Sequence, residues 1–335
     1  MKNSNDVLLD ISGLNVAFHT RRGLVRAVKD LSLNIKEGET LALVGESGCG
    51  KSVTAHSITR LVPIPPGEIE SGTISFRGTD LLTLSDKEMR AIRGSRISMI
   101  FQEPMTSLNP VFTVGTQIGE VFQTHENLGK KEAFEKAVEL LDLVKIPDPA
   151  KRAKAYPHQL SGGMRQRAMI AMALASPEPG LMIADEPTTA LDVTIQAQIL
   201  QLLAELKDRV DMALLLITHD MGVVAETADR VAVMYAGHKV EDAPVETLFA
   251  DPRHPYTQGL LGCQPSAPAN RGARRLVSID GSVPDLLSIG DGCPFANRCT
   301  NVEPDCLEAF PGKTEAGADH EFWCHHPVNQ LGASS

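Results

Sequence analysis

The residues best suited to chemistry in this sequence form the segment Gly45-Glu-Ser-Gly-Cys-Gly-Lys51-Ser52. This segment fits the pattern G-x-x-x-x-G-K-S/T, in which backbone N–H groups of a glycine-rich loop surround phosphate oxygens. Lys51 would reach the β- and γ-phosphates of a nucleotide, and the Ser52 hydroxyl would ligate Mg²⁺. The apolar run 41–44 precedes the loop and a helical pattern over 52–61 follows it, as the motif requires. The segment therefore predicts a phosphate-binding loop.

Two further apolar runs end in polar residues that could act on a phosphate. The run from Leu181 ends in Asp185-Glu186, where Asp185 could hold Mg²⁺ through water and Glu186 could orient or deprotonate the attacking water. The run 214–217 is followed by His219, whose imidazole could reach the γ-phosphate. Taken alone, each is weak evidence, because such acids also serve as helix caps and a lone histidine is often a loop residue.

A second predicted anion site lies in Leu160-Ser-Gly-Gly-Met-Arg-Gln166. Ser161, Gly162 and Gly163 would open a helix, and the free N–H groups of a helix N-terminus bind anions. Two phosphate-binding loops in one chain indicate that one nucleotide is shared between two molecules.

The elements that must position these residues alternate between strand and helix. Continuous apolar runs such as 41–44, 97–101 and 181–184 are typical of parallel strands buried on both faces, and helical stripes lie between them. We therefore expect a layered α/β core. The segments 14–18 and 31–35 alternate apolar and polar residues and predict antiparallel strands beside that core.

Two regions depart from the α/β alternation. Residues 103–177 lack a strand pattern and predict a helical insertion. Beyond Asp251 the chain is rich in Pro, Gly, Asn and Cys, which predicts a tail held by something other than a large apolar core. We expect two domains, 1–250 and 251–335. Because no nucleotide motif lies beyond residue 251, we expect any metal centre held by the cysteines of this tail to be a structural staple rather than an electron carrier.

Composition excludes several classes of function. The chain has 335 residues and 32 Lys+Arg against 42 Asp+Glu, a formal charge of −10 that gives no support to broad binding of nucleic acid. No apolar run approaches the ~18 residues of a membrane span. The first ten residues lack the pattern of a signal peptide. We expect a cytosolic chain that reaches a membrane through its partners.

In this combination and order, the motifs resemble those of the ATP-binding cassette (ABC) ATPases over residues 1–250. The resemblance implies a P-loop nucleotide-binding domain with a RecA-like core, an antiparallel β subdomain and a helical subdomain. It implies that Gly45–Ser52 is the Walker A loop, Gln102 the Q-loop residue, 160–166 the signature and 181–186 the Walker B strand. One position departs from the family pattern, since Met164 stands where the signature usually has Gln.

The resemblance also assigns roles to single residues. Glu186, His219 and Gln102 would be catalytic, Asp192 would lie in the D-loop, and Phe18 would stack on adenine unless it is a plain core residue. The implied cofactors are ATP and Mg²⁺, with Ser52, Gln102 and Asp185 as the Mg²⁺ ligands. The implied nucleotide contacts are Phe18, Gly45, Glu46, Ser47, Gly48, Cys49, Gly50, Lys51, Ser52, Val53, Gln102, Asp185 and, from a partner's copy, Ser161, Gly162, Gly163 and Asp192.

Within this superfamily the chain resembles the ATPase subunits of dipeptide and oligopeptide permeases. The stretches that carry the resemblance are 101–110, 156–160, 185–195 and His254-Pro-Tyr-Thr257. The family implies an importer in the inner membrane with two permease subunits, a second homologous ATPase and an external solute-binding protein. A soluble ABC-type ATPase of DNA repair or translation is the alternative. A regulator that only binds ATP would be expected to lack Glu186 or His219.

Four cysteines lie close together near the end of the sequence: Cys293, Cys299, Cys306 and Cys324. Four thiolates can hold an iron–sulfur cubane or one Zn²⁺, and their spacing matches neither the paired zinc pattern nor the ferredoxin run. Resemblance to dipeptide-type ATPases implies a [4Fe–4S] cluster, with zinc or free thiols as alternatives. Cys263 lies outside this group.

Cys49 allows two interpretations. It could be a small space-filling residue of the loop. If the loop is open to solvent, its place beside Lys51 at a helix N-terminus would lower the pKa of the thiol and make it reactive.

Overall fold

The computed structural model describes residues 6–102, 107–189, 191–264, 278–317 and 319–329, and for Val193 it describes the backbone alone. In chain order its strands are β1 Val7–Thr20, β2 Gly23–Lys36, β3 Thr40–Val44, β4 Gly67–Phe76, β5 Thr79–Asp80, β6 Ile97–Ile100, β7 Leu181–Asp185, β8 Ala213–Thr218, β9 Arg230–Tyr235, β10 His238–Pro244, β11 Thr314–Gly317 and β12 His320–Phe322.

Helices alternate with these strands along most of the chain. They are α1 Lys51–Ile58, α2 Asp86–Ile92, α3 Val114–His125, α4 Lys130–Leu143, α5 Pro149–Arg152, α6 Gly162–Leu174, α7 Val193–Val210, α8 Met221–Thr227, α9 Val245–Ala250, α10 Pro255–Gly262 and α11 Asp305–Glu308. Short 3₁₀ turns occur at Pro157–Gln159 and Ala296–Arg298. The order confirms the α/β class predicted from the apolar runs.

The chain divides into two compact units, which we name after one residue of each. The Lys51 unit consists of 9–34, 40–76 and 218–335, and the Glu186 unit consists of 1–8, 35–39 and 77–217. The Lys51 unit includes the loop at Gly45–Ser52 and the four tail cysteines. The domain boundary at residue 250 stays a prediction.

In the Lys51 unit, β3 runs parallel to β9, with Leu41 opposite Arg230 and Val44 opposite Val233. Strand β9 continues antiparallel into β10, which pairs with β12, and β12 pairs with β11. Elsewhere in the unit the two segments predicted as strands, 14–18 and 31–35, lie within β1 and β2. Strand β1 pairs antiparallel with β4 along 9–18 and 67–76, a pairing that was not predicted from the sequence. The carboxyl end of β3 is thus fixed by a neighbouring strand where the phosphate loop begins.

The tail packs better than its sequence predicts. Tyr256 and Phe295 join a buried cluster with Tyr235, Val240 and Leu248. Strand β12 extends the sheet beyond β10, with Glu241 opposite Phe322. The expectation that the tail lacks an apolar core is wrong, because single aromatic residues at irregular spacing fill the core without producing a periodic pattern.

In the Glu186 unit, β6, β7 and β8 are parallel, with Ile97 opposite Leu181 and Leu181 opposite Ala213. The described part of 103–177 contains helices and turns and no strand, as predicted for the helical insertion. Helix α6 packs against α3, α4 and β6, so the Ser161 end of α6 is held by the rest of the unit. Residues 103–106, part of the stretch that resembles the permease ATPases, lie outside the described residues.

Across the part of the chain that the structure describes, none of the helices has the length and apolar character that crossing a membrane requires.

Candidate active site

The phosphate loop follows β3 and opens α1. A Cβ atom on Gly45 would lie 2.2 Å from the carbonyl oxygen of Met234. Gly50 has φ of 105° and a Cβ there would lie 2.4 Å from the carbonyl oxygen of Ala27. A side chain at either position would therefore collide with backbone, so the loop keeps its tight path only with glycine. Gly50 is the N-cap of α1, and the N–H groups of the first helical turn face the loop side of the helix.

Lys51 is buried at the start of α1. Its Nζ donates to the carbonyl oxygens of Gly45 at 2.7 Å and Glu46 at 3.1 Å, so the ammonium lies within the curve of the loop. Ser52 and Val53 are half-buried, whereas Ser47 and Gly48 are exposed at the tip. The loop thus combines an inward cation with an accessible backbone, which is the arrangement that binds phosphates.

Cys49 is a buried residue of this loop. Its side chain is 1% exposed, and burial raises the pKa of the thiol although Lys51, with Nζ 3.8 Å from Sγ, opposes the shift. The hypothesis of a reactive Cys49 is therefore wrong, because it required a loop open to solvent. The space-filling interpretation holds.

Asp185 and Glu186 end β7 in the Glu186 unit. Asp185 is 2% exposed, and Glu186 adopts a left-handed φ of 45°. The Glu186 N–H donates to the carbonyl oxygen of Ile217 at 2.9 Å, which fixes the turn against β8. A non-glycine residue held at positive φ costs about 1–3 kcal/mol, and such strain is common at functional sites.

Gln102 and Glu186 are brought together. The Gln102 Nε2 donates to Glu186 Oε2 at 3.1 Å, and Thr189 Oγ1 donates to the same oxygen at 2.8 Å. The proximity of Gln102 to Glu186 follows from their places after the neighbouring parallel strands β6 and β7. Thr189 is a contact that the sequence reasoning missed, because a threonine three residues after an acid is too common to be a signal.

Ser161 is the N-cap of α6, and its Oγ accepts from the Met164 N–H at 3.3 Å. Ser161 and Gly162 are exposed, which leaves the helix start accessible. A Cβ on Gly163 would lie 3.0 Å from Cγ2 of Ile195, so α6 and α7 approach closely there. Asp192 is exposed at the N-cap of α7, and Ala190 of the D-loop stretch lies outside the described residues.

Phe18 and His219 belong to the Lys51 unit. Phe18 is half-buried near the end of β1, opposite Gly67 of β4. His219 is exposed in the turn after β8, and the next residue, Asp220, caps α8 by accepting from the Gly222 N–H at 2.8 Å. The cap holds the turn that carries the imidazole.

The four tail cysteines line one small cavity together with His254, Phe295, His325 and His326. None of them forms a disulfide. Burial and the neighbouring thiols raise the pKa of Cys293 to about 11 and that of Cys324 to about 12. The four thiols therefore converge on one place, as the sequence spacing alone could not establish.

Two tail residues contact the phosphate loop, although no sequence motif beyond residue 251 indicates such a contact. The Glu46 N–H donates to Tyr256 Oη at 2.8 Å. Two Arg298 nitrogens donate to the Glu46 carboxylate at 2.6 and 3.1 Å. Arg298 lies 252 residues from Glu46 along the chain, and no local pattern could have indicated this contact.

Comparison with solved structures identifies the class of protein. A dimeric structure of the ATP-binding cassette MJ0796 in a post-hydrolysis state, bound to ADP and Pi, aligns with a TM-score of 0.63 and 28% identity, covering 71% of this chain and 98% of that one. Another dimeric MJ0796 structure, described as a bacterial ABC transporter cassette, gives a TM-score of 0.62. Residues 28–189 match the ABC transporter family. The chain is an ABC-type ATPase.

Curated relatives narrow this class. The dipeptide transport ATP-binding protein DppD of Bacillus subtilis is 54% identical over 95% of this chain and 94% of its own length. The oligopeptide transport ATP-binding protein OppD of the same organism is 51% identical over 96% of this chain and 89% of its own length. Residues 240–306 match the C-terminal region of oligopeptide/dipeptide transporters. The chain belongs to the family of ATP-binding subunits of peptide ABC importers, and its activity is ATP hydrolysis coupled to transport.

Because the chain belongs to this family, the alternative interpretation as a soluble ATPase of DNA repair or translation is wrong. Proteins of this family work with permease subunits and as pairs of ATPases.

Proposed function

We propose that this chain binds MgATP at Gly45–Ser52 and hydrolyses it with water aligned by Glu186. The observation that carries the hydrolytic assignment is the pair of hydrogen bonds from Gln102 and Thr189 to one oxygen of Glu186. They orient the carboxylate, and a fixed carboxylate can align water or take up its proton. His219 would add a contact to the γ-phosphate.

The donor set at the proposed site fits Mg²⁺. Ser52 offers a hydroxyl, Gln102 an amide oxygen and Asp185 a carboxylate, and Mg²⁺ prefers such hard oxygen ligands. When bound, the ion would offset the charge of the β- and γ-phosphates. The chain's own part is to hold Lys51 within the loop and to keep the buried Asp185 at the end of β7.

We propose that the exposed start of α6 binds the nucleotide held by a partner ATPase. Ser161 and Gly162 are exposed, and Ser161 caps the helix by accepting a hydrogen bond from the Met164 N–H. The partner would be a second, homologous ATPase, so that each nucleotide lies between two chains. Closure of the pair on ATP and reopening after hydrolysis would drive the permeases.

The transporter is proposed to lie in the inner membrane, with this chain on its cytoplasmic face and a solute-binding protein on the other side. The relatives' names point to dipeptides and oligopeptides as solutes. Glutathione and nickel chelates stay open, because solute choice belongs to the permeases and the solute-binding protein.

We propose that Cys293, Cys299, Cys306 and Cys324 hold a [4Fe–4S] cluster, with one zinc as the alternative. A tetrahedral zinc with Zn–S of ~2.3 Å needs sulfur atoms ~3.8 Å apart. Among the described residues, one group of three ligand atoms lies within 4.8 Å of one another, and it belongs to Asp305, Cys306 and His326. No three of the described cysteines come this close together. The group Asp305, Cys306 and His326 would suit a single ion, whereas the four thiols that line one cavity could hold either centre. The resemblance to dipeptide-type ATPases is what favours the cluster.

The ATP site is tested by Lys51→Ala in the assembled transporter. Loss of the ammonium should weaken nucleotide binding itself, because it contacts the phosphates in ground and transition states alike. Calorimetry with MgADP measures this, with Lys154→Ala on the exposed surface as the control. Unchanged affinity of Lys51→Ala would overturn the assignment of the loop.

The cysteine site is tested by metal analysis of anaerobically purified protein. A cubane predicts about four irons per chain and broad absorbance near ~400 nm. One zinc and no iron would replace the cluster by a zinc site, and protein without metal would return the cysteines to free thiols.

A further inference from the structure

Among the described residues of the phosphate loop, Glu46 alone forms hydrogen bonds with the C-terminal segment through both its backbone and its side chain. Its N–H donates to Tyr256 Oη at 2.8 Å and its carboxylate accepts two hydrogen bonds from Arg298. Its carbonyl oxygen accepts from Lys51 Nζ at 3.1 Å. The position of Glu46 therefore affects the ammonium that the loop presents to a nucleotide.

Arg298 is itself rigidly placed. Its side chain is 5% exposed, against 28% for Glu46. Its Nε donates to the carbonyl oxygen of Asp280 at 3.0 Å, and Nη1 donates to Tyr235 Oη at 3.2 Å. The guanidinium also lies near the rings of Tyr235 and Phe295, 5.8 and 5.9 Å from their centroids. The planar guanidinium, fixed by these partners, can hold a carboxylate through two donors at once, whereas the ammonium of a lysine would act as a single point charge.

Tyr256 is fully buried, so its hydroxyl has one place to lie. Its ring packs against Tyr235 with centroids 4.6 Å apart and against Phe295 at 5.4 Å. Its N–H donates to His254 Nδ1 at 3.1 Å, which caps α10. The acceptor for the Glu46 N–H is therefore preorganised by the core of the Lys51 unit.

We propose that Arg298 and Tyr256 are positioning residues for the phosphate loop, and that the C-terminal segment is thereby part of the ATP site. The inference rests on the proposed role of Gly45–Ser52. Arg298 neutralises a carboxylate located one residue into a loop that must receive a polyanion. Tyr256 fixes the backbone of the same residue. Without Arg298, Glu46 would repel the phosphates and would be free to move.

The charge of Glu46 distinguishes a positioning role of Arg298 from a purely structural one. If Arg298 only fastens the tail, its loss lowers the melting temperature, and removal of the Glu46 charge does not help nucleotide binding. If Arg298 offsets Glu46, then Glu46→Gln should restore much of the affinity that Arg298→Ala loses. The double variant is thus the decisive comparison.

The experiment titrates the full chain with MgADP and with the non-hydrolysable analogue AMP-PNP. Arg298→Ala should weaken both affinities about fivefold to tenfold, because it removes a partly exposed ion pair. Tyr256→Phe should weaken them about twofold to threefold, because it removes one neutral hydrogen bond. The Arg298→Ala, Glu46→Gln double variant should return to within about twofold of the parent. In the assembled transporter the KM for ATP should rise while kcat stays within about twofold.

The matched control is Arg22→Ala, because Arg22 also forms an ion pair with the tail, with Asp285 at 2.5 Å. It should leave both affinities unchanged. If Arg298→Ala does not fold, Arg298→Lys replaces it in the experiment, because it keeps the positive charge but loses the bidentate guanidinium. It should weaken binding about twofold to fivefold.

Parent affinity in Arg298→Lys and Tyr256→Phe would overturn the inference, as would a double variant no better than Arg298→Ala. Lys51→Ala distinguishes failure of this inference from failure of the proposed function. If it loses binding while the Arg298 and Tyr256 variants do not, the inference fails and the proposed function stands. If Lys51→Ala also binds like the parent, the assignment of the phosphate loop fails.

Discussion

The side-chain amide of Gln102 donates to the carboxylate of Glu186 at 3.1 Å. Gln102 follows β6 and Glu186 follows β7, and the parallel register of the two strands places their carboxyl ends side by side. Thr189 reaches the same Glu186 oxygen from the following turn. Gln102 therefore holds the proposed hydrolytic carboxylate, and movement of Gln102 would change the direction in which Glu186 accepts a proton.

Glu186→Gln should leave ATP binding intact and nearly abolish turnover. The amide keeps the shape of the side chain but is not a base, and loss of a general base costs about 10²-fold or more. Steady-state hydrolysis by the assembled transporter and calorimetric binding measure the two effects. Glu139→Gln, at an exposed site on α4, is the control. A normal rate in Glu186→Gln would remove Glu186 from the mechanism.

Thr189→Val should lower kcat about threefold to tenfold and leave the KM for ATP unchanged. Valine keeps the volume of threonine but cannot donate to Glu186, and a hydrogen bond to a charged group contributes about 1.5–3 kcal/mol before solvent screening. Thr194→Val, on the exposed side of α7, should behave like the parent. A rise in KM with constant kcat would mean that Thr189 acts on binding instead.

The isolated chain should hydrolyse ATP slowly, because a nucleotide site that needs the α6 N-terminus of a partner is incomplete in a monomer. The rate per chain should rise with protein concentration as pairs form. Ser161→Arg would block the helix start and should abolish this rise, whereas its own loop still binds MgADP. Full activity, independent of concentration, from a chain shown to be monomeric by light scattering would contradict the shared site.

Much of the fold follows from the sequence because its signals are local. Each of three signals is recognisable within a few residues: the apolar run 41–44, the glycine-rich loop Gly45–Ser52 and the N-cap Ser161. The structure has β3, α1 and α6 at these places. The parallel strands then bring Gln102 and Glu186 together without further information.

The tail could not be derived in this way. Tyr256 and Phe295 are single aromatic residues that meet Tyr235 from distant positions, and β12 pairs with β10 over only a few residues. The Glu46–Arg298 ion pair closes a loop of 252 residues. Such contacts depend on the assembled core and leave no periodic trace in the sequence. Cys49 shows the same limit, since its position allows both a space-filling residue and a reactive thiol, and only its burial decides between them.

The cysteine site and the phosphate loop should be coupled through Arg298. The turn Ala296–Arg298 lies between Cys293 and Cys299, and the Ala296 N–H donates to the Cys293 carbonyl oxygen at 3.1 Å. The Cys293 N–H in turn donates to the Cys306 carbonyl oxygen at 2.7 Å. A metal centre held by these cysteines would fix the turn, and with it the guanidinium that holds Glu46.

Cys306→Ser should therefore lower the metal content and also raise the KM for ATP about twofold to fivefold, because the partly buried ion pair between Arg298 and Glu46 would lose its alignment. Cys263→Ser, outside the cavity, should change neither quantity. In an Arg298→Ala background the additional effect of Cys306→Ser on KM should disappear, because the connecting side chain is already gone. Metal analysis and ATPase kinetics measure this on the parent, on Cys306→Ser, on Arg298→Ala and on the double variant. Equal effects of Cys306→Ser in both backgrounds would show that the tail cysteines act on ATP by another route, and metal loss with an unchanged KM would show that they do not act on it at all.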